Sequence, residues 1–376
     1  MWKEMLQPSQ VAFKERPQAV GSTISRHDAD GMPDLRDHKL CLVGLPDTLG
    51  SHLAADAIRQ QFFELITGGW DFTWADAGNI IPGRDAVDLM AAVEEIGVEI
   101  MQRGSIPVFI GGSSDQALGL YRAYSRLEQL VNMTVLHREI PIGTDQGAPH
   151  AENWISHVLT AKPYQLFHLA FIGYQSYFVD QNTLDIVEKM HFEAERLGTV
   201  ADQITRIEPL LRDMDMIVAD NQVMTCSQAP GQSRPNPNGL SAKDFCAAMR
   251  YAGMSDKASS FFITGYVPEE DIHALNAMTL AQGLWYIAEG VQWRKGDFPM
   301  RPIEDYLKFT VWLEGEQDYE MTFYKSPISG RWWMEVPVAP GKDARLSMVP
   351  CSQEDYELAV KGEVPPRWWK ASRRAI

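Results

Sequence analysis

Two short stretches carry side chains whose type and setting could do chemistry. One is Asp220-Asn221-Gln222, followed by Ala229-Pro230-Gly231, Pro235 and Gly239-Leu240. The apolar run Met216-Ile217-Val218-Ala219 delivers Asp220 to the end of a buried strand, where a carboxylate can hold a cation. The other is Gly111-Gly112-Ser113-Ser114. Its glycines suggest a phosphate loop, but neither a Gly-x-Gly-x-x-Gly pattern nor a following Gly-Lys-Ser/Thr is present. Ser113 or Ser114 as a nucleophile needs a base that the sequence does not place. Cys41, Cys226, Cys246 and Cys351 are widely spaced without a Cys-x-x-Cys, which fits neither a zinc module nor a disulfide framework.

These stretches sit among alternating strand-like and helix-like segments. Apolar runs at 40–44, 106–110, 133–136, 166–172, 216–219 and 259–263 read as buried strands. Helical spacing marks 54–66, with Ile58, Phe62 and Leu65 on one face, and 87–103, with Leu89, Val93, Ile96 and Ile100. Further helices are expected at 115–130, 183–197, 242–252 and 271–291. Short apolar strands between helices imply a parallel sheet covered on both faces. Ligands in such folds bind beyond the carboxyl ends of the strands, where Gly111-Gly112 and Asp220 both fall.

The chain divides by character into a polar arm at 1–37, an α/β domain at 38–300 and a Trp-rich extension at 301–376. In the extension, 306–313 and 320–324 alternate as strands, and Ser329-Gly330 suits a hairpin turn. Trp332-Trp333 and Trp368-Trp369 are expected to pack this extension onto the main domain. The 376 residues are 45% hydrophobic and 22% charged, enough for a large core. A net charge of −16 is the reverse of a nucleic-acid binder's basic stripe. No window is long and apolar enough for a membrane span, and no signal-peptide core follows Met1-Trp2-Lys3-Glu4. The expected compartment is the cytoplasm.

In order along the chain, several segments resemble the arginase, agmatinase and formimidoylglutamase family, the ureohydrolases. Val43-Gly44-Leu45-Pro46 and Ala57-Ile58-Arg59 look like its opening strand and first helix. Asp76-Ala77-Gly78-Asn79-Ile80 resembles its Asp-x-Gly-Asn segment, and Phe109-Ile110-Gly111-Gly112 the strand before its first metal ligand. The tail, with Phe323-Tyr324-Lys325-Ser326, Arg331-Trp332-Trp333-Met334-Glu335-Val336-Pro337 and Val349-Pro350-Cys351-Ser352, is similar to formimidoylglutamase-like proteins of Bacteroidetes. The resemblance implies a three-layer α/β/α fold with a parallel central sheet and a small C-terminal strand-rich extension.

It also implies two manganese ions that generate a hydroxide to attack an amidine or guanidine carbon. The family's ligands come from Gly-Gly-Asp-His, Asp-x-His-x-Asp and Asp-x-Asp. Here those positions read Gly111-Gly112-Ser113-Ser114, His137-Arg138-Glu139-Ile140-Pro141 and Asp220-Asn221-Gln222. Ser114, Pro141 and Gln222 are thus lost-ligand positions, and His137, Glu139 and Asp220 are the groups left that bind a divalent ion well. His150 falls near the family's catalytic histidine. Gly265, in Ile263-Thr264-Gly265-Tyr266-Val267-Pro268, falls where the family holds its cationic substrate with a carboxylate. With Gly112, Ser113 and Gly265 the surviving side chains would line a polar pocket.

The expectation is a non-catalytic binding or scaffold protein with no metal cofactor, whose partner is a protein or a small cationic ligand. Self-association is possible for this family. The alternative is a hydrolase of C–N bonds in linear amidines, with a remodelled site holding one manganese ion at most.

Overall fold

A computed structural model describes residues 2–143, 147–313, 319–337 and 346–374. Its central sheet has ten strands: β1 (Leu6–Gln7), β2 (Ser25–Arg26), β3 (Leu40–Leu45), β4 (Trp74–Ile80), β5 (Ile106–Gly111), β6 (Val131–Leu136), β7 (Leu166–Tyr174), β8 (Glu193–Arg196), β9 (Met216–Asp220) and β10 (Ser260–Thr264). The order is β1-β4-β3-β5-β10-β9-β6-β7-β8, with β2 also on β4. Only β1 runs antiparallel to its neighbour.

Alternation along each strand sends side chains to two separate cores. Leu40, Leu42, Val108 and Ile110 pack against the helices Leu53–Glu64, Ala242–Gly253 and Leu275–Gln292. Cys41, Val43, Phe109 and Phe262 face the helices Ala86–Gln102 and Ala117–Arg126. The result is the three-layer α/β/α arrangement expected from the sequence, with helices on both faces of a mostly parallel sheet.

A brace between the first long helix and β4 gives a physical reason for two of the motif segments. Arg59, fully buried, donates through Nε and Nη2 to the buried Asp76 carboxylate, at 2.9–3.2 Å. It also donates to Asn79 Oδ1 at 2.6 Å and to the Gly78 carbonyl at 2.7 Å. Gly44 lets the guanidinium pass: a Cβ there would lie 2.6 Å from Arg59 Nη1 and 1.9 Å from Asn79 Oδ1.

A second, antiparallel sheet follows, with β11 (Leu307–Leu313), β12 (Tyr319–Lys325), β13 (Trp332–Pro337) and β14 (Leu346–Cys351) in sequential order. Trp332, Trp333 and Trp368 are buried and Trp369 is about half exposed; Trp332 and Trp368 lie in the extension's own core, with Met321, Phe323 and Met334. Arg212 of the main body lies over the Trp333 ring at 4.7 Å and donates to the Trp332 carbonyl at 2.7 Å. Residues near the N-terminus are packed down too: Trp2, Leu6, Val20, Ile24 and Leu35 are all buried.

Three local differences from the sequence reading have identifiable causes. The helix expected at 183–197 stops at Lys189; His191 turns the chain at φ 54°, and β8 follows. Glu193 of β8 is buried there by an ion pair with Lys370 at 2.7 Å, a contact no local pattern encodes. The helix expected at 271–291 starts at Leu275, where the Asp271 carboxylate accepts from the Asn276 and Ala277 amides. β4 holds the Asp-x-Gly-Asn segment and is buried along its whole length, so its apolar and polar residues show no alternation.

Candidate functional site

Strand register sets the site. Ala219 pairs with Leu136 and with Ile263, and Ile263 pairs with Ile110. The next residue on each strand therefore falls in one row across β5, β10, β9 and β6: Gly111, Thr264, Asp220 and His137. Thr264 Oγ1 donates to the Gly112 carbonyl at 2.8 Å, which ties the ends of β10 and β5 together.

Asp220 and His137 meet, as their positions at neighbouring strand ends predict. His137 Nε2 lies 3.8 Å from Asp220 Oδ2, and both side chains are buried. His137 Nδ1 accepts from the Glu139 amide at 2.9 Å, which leaves Nε2 facing the carboxylate. Asp220 Oδ1 accepts from the Gln222 amide at 2.9 Å and so caps the turn at the end of its own strand.

Glu139 does not join them. Its Oε1 accepts from Arg138 Nε at 3.0 Å and lies 3.2 Å from Arg234 Nη2. Arg138 is itself buried, stacks over Phe178 at 4.9 Å and donates to the Arg234 carbonyl at 2.6 Å. Arg234 reaches on to Glu152 at 3.0 Å, so one guanidinium links the segments after β6 and β9. Arg138 and Arg234 went unread as site residues. Their signal was two cations inside the loops that carry the ligand positions.

Of the three positions where the family resemblance implies a lost ligand, one has a hydrogen-bonded backbone and two carry buried side chains. Pro141 offers its carbonyl to the Ile155 amide at 3.2 Å. Ser114 and Gln222 are buried, and neither Ser114 Oγ nor Gln222 Oε1 has a hydrogen-bond partner among the described residues. Gly265 sits against the site at φ 79°: a Cβ there would lie 2.5 Å from Asp220 Oδ1.

His150 lies elsewhere. It is exposed and lines a cavity of about 570 Å³ with Ser113, Asp115 and Gln116, beyond the ends of β3, β4 and β5. Its Nδ1 accepts from the Glu152 amide at 3.3 Å. The Ser113 hydroxyl donates to Asp115 Oδ1. Burial pushes the Asp115 carboxyl above its ordinary value, while that hydroxyl and the His150 charge pull the other way. Ser113 and His150 thus line one cavity, whose residues do not include His137, Asp220 or Gly265, although the Gly265 amide donates to the carbonyl of Gly112, next to Ser113, at 3.3 Å.

A dinuclear manganese centre does not fit these residues. Among the described residues no three His, Cys, Asp or Glu side chains come together to hold an ion. Ser114 and Gln222 add only neutral oxygens, and Glu139 is turned onto two guanidinium groups. A bridging pair of cations needs several carboxylates to offset its charge. Among the described residues no such charge-compensating set surrounds the buried His137–Asp220 pair.

The wider likeness of the chain agrees with its motifs. A family model described as the arginase family matches residues 41–288. A search of curated proteins finds no match. Among solved structures, formimidoylglutamase from Bacillus subtilis subsp. subtilis str. 168 superposes with a TM-score of 0.66 at 18% identity, covering 77% of this chain and 97% of that one. Trypanosoma cruzi formiminoglutamase, determined with Mn2+, gives 0.63 at 16% identity, covering 70% and 100%. Agmatine ureohydrolase of Thermoplasma volcanium gives 0.59 at 19% identity, covering 74% and 96%. At these identities the likeness is one of fold.

Proposed function

The chain belongs to the arginase family, and on that premise we propose that it is a formimidoylglutamase-like member that works by binding, as a pseudoenzyme or scaffold, without hydrolysis. The observation that supports this most is the side chain of Glu139. Of the three groups suited to an ion it would complete the set, and it is paired with Arg138 and Arg234 instead. Ser114, Pro141, Gln222 and Gly265 point the same way, since metal donors and the substrate carboxylate are lost together. In this reading the protein carries no metal cofactor. It works in the cytoplasm, where its four free thiols stay reduced, and its partner is a protein or a small cationic ligand. Neither nucleic acid nor a membrane span enters; among the described residues no helix is long and apolar enough to cross a membrane. Self-association, as a homo-oligomer, is part of the same proposal.

The test is metal content. Protein incubated with excess MnCl2 and desalted is expected to retain almost none by elemental mass spectrometry. Retention of about two ions per chain overturns the reading, as does metal-dependent release of urea, ammonia or formamide from guanidino or formimino compounds.

The facing pair His137 and Asp220 favours a second reading: a hydrolase of C–N bonds in linear amidines, formimidoylglutamate or a guanidino compound, with one manganese ion at most. His150 as its proton shuttle is the weak point, because the cavity it lines includes neither His137 nor Asp220. This reading requires that Asp220→Ala abolish turnover; turnover unchanged in that variant ends it.

A further inference from the structure

Among the described residues, the outer edge of β11 is open along its length. The strand pairs with β12 through seven consecutive residues, from Leu307↔Lys325 to Leu313↔Tyr319, without a bulge. Its other side meets no strand, and no backbone bond runs from 307–313 to any described segment but β12. Other edge strands are blunted in ways that native sheets use. β1 and β2 are two residues long, and β8 is four and holds Glu193, Glu195 and Arg196. β14 carries Pro350 and meets Arg212 at the Cys351 carbonyl, 3.4 Å away. β11 has neither proline nor bulge, and one face of it is fastened. Phe309, Val311 and Leu313 pack against the extension's core, with the Phe309 ring 5.0 Å from Trp332 and 5.5 Å from Tyr356. On the opposite face Trp312 is 65% exposed, and Lys308 is exposed as well.

We propose that β11 is the interface for a second copy of this chain, paired antiparallel across a twofold axis at Thr310, so that the two four-stranded sheets join edge to edge. The strand is its own complement in that register. Leu307 faces the partner's Leu313 and Phe309 the partner's Val311, apolar against apolar. Lys308 faces the partner's Trp312, so the axis creates two ammonium–indole contacts. Glu320, which sits opposite Trp312 on β12, lies behind each contact and adds an opposite charge. A strand already held rigid on one face loses little freedom when it pairs, and a closed twofold contact leaves neither copy with an open β11 edge. A foreign strand could satisfy the same backbone groups; the match between positions 308 and 312 of one chain favours a second copy. The extension lies outside residues 41–288, so the interface is not part of the segment that the family model matches. The inference rests on the self-association in the proposed reading and names its surface.

Sedimentation velocity of the full chain over a dilution series tests it. The wild type is expected to be a dimer that dissociates on dilution. Lys308→Glu sets a carboxylate against the partner's Trp312 and Glu320, and should weaken the dimer at least about tenfold. Adding Trp312→Lys creates an opposite-charge pair at the same contact, and should bring the dissociation constant back to within about threefold of wild type. Both positions are exposed, so the circular dichroism of each variant should match that of the wild type. A dimer indifferent to Lys308→Glu, or a loss that Trp312→Lys does not repair, overturns the β11 interface and leaves self-association standing. A wild type that stays monomeric at every concentration overturns both. Neither result touches the non-catalytic reading, which manganese content and turnover decide.

Discussion

Gly265 packs so closely on the Asp220 carboxylate that no side chain fits there. A Cβ at Gly265 would lie 2.5 Å from Asp220 Oδ1, on a backbone at φ 79°. Gly265→Glu puts back the carboxylate the family resemblance implies there, yet it is expected to destabilise the fold by about 2–4 kcal/mol. A lowered urea midpoint, with no gain in affinity for agmatine, is the result to look for. A second residue bears on pH. Asp215 accepts from the Asn132 amide at 2.8 Å, and burial pushes its carboxyl from 3.8 to about 6, against Lys257 and that amide. With the folded value raised, the native state keeps a proton that the unfolded chain has already lost across that window. Stability should therefore fall as pH rises from about 4 to about 6 and level off above, by about 3 kcal/mol for this group. Denaturation series for the wild type and Asp215→Asn, compared pH by pH, should show the difference vanish at low pH and favour the variant at neutral pH. The sequence put His137 and Asp220 at the ends of buried strands, but that those two strands lie side by side is a matter of sheet order, which no local pattern encodes. The direction of Glu139 was not legible either, because Arg234 approaches it from a separate loop and no spacing encodes that approach.

Elements carry the next layer, and the brace on Arg59 shows how motif residues act through them. Its guanidinium joins the helix Leu53–Glu64 to β4 by bonds to the buried Asp76, to Gly78 and to Asn79, and also pairs with the part-exposed Asp56 at 3.2 Å. Removing Asp76 leaves the buried Arg59 charge with only the part-exposed Asp56 to offset it. Asp76→Ala is accordingly expected to cost about 3–5 kcal/mol, seen as a lower melting temperature. Asp76→Asn, which keeps an acceptor, should lose less. The strands and long helices were readable because burial on one or both faces leaves a period in the sequence. β8 was not, since Glu193 is held inside by Lys370 from the far end of the chain. The start of the last long helix was misplaced for a related reason: His273 and Ala274 adopt positive φ, and the Asp271 side chain caps the helix across them.

On the scale of the whole molecule, the antiparallel sheet is fastened to the main body by Trp333 and Arg212. Trp333 is 1% exposed beneath the Arg212 guanidinium. Trp333→Ala should therefore destabilise the protein by about 3–5 kcal/mol, and scanning calorimetry should show a lowered transition. The order of the central sheet has a further effect. β10 pairs with β5 on one side and β9 on the other, so β1 to β5 and β6 to β9 form two half-sheets joined by that strand. On the ribosome, β5 waits for a neighbour encoded some 150 residues later, an interval of roughly 8–30 s at ordinary elongation rates. During that time both halves present open hydrogen-bonding edges, which are natural targets for chaperones and for mispairing. Asp220, Gly265 and Gly112 lie along the seam, so this pocket can assemble only when β10 locks the two halves together.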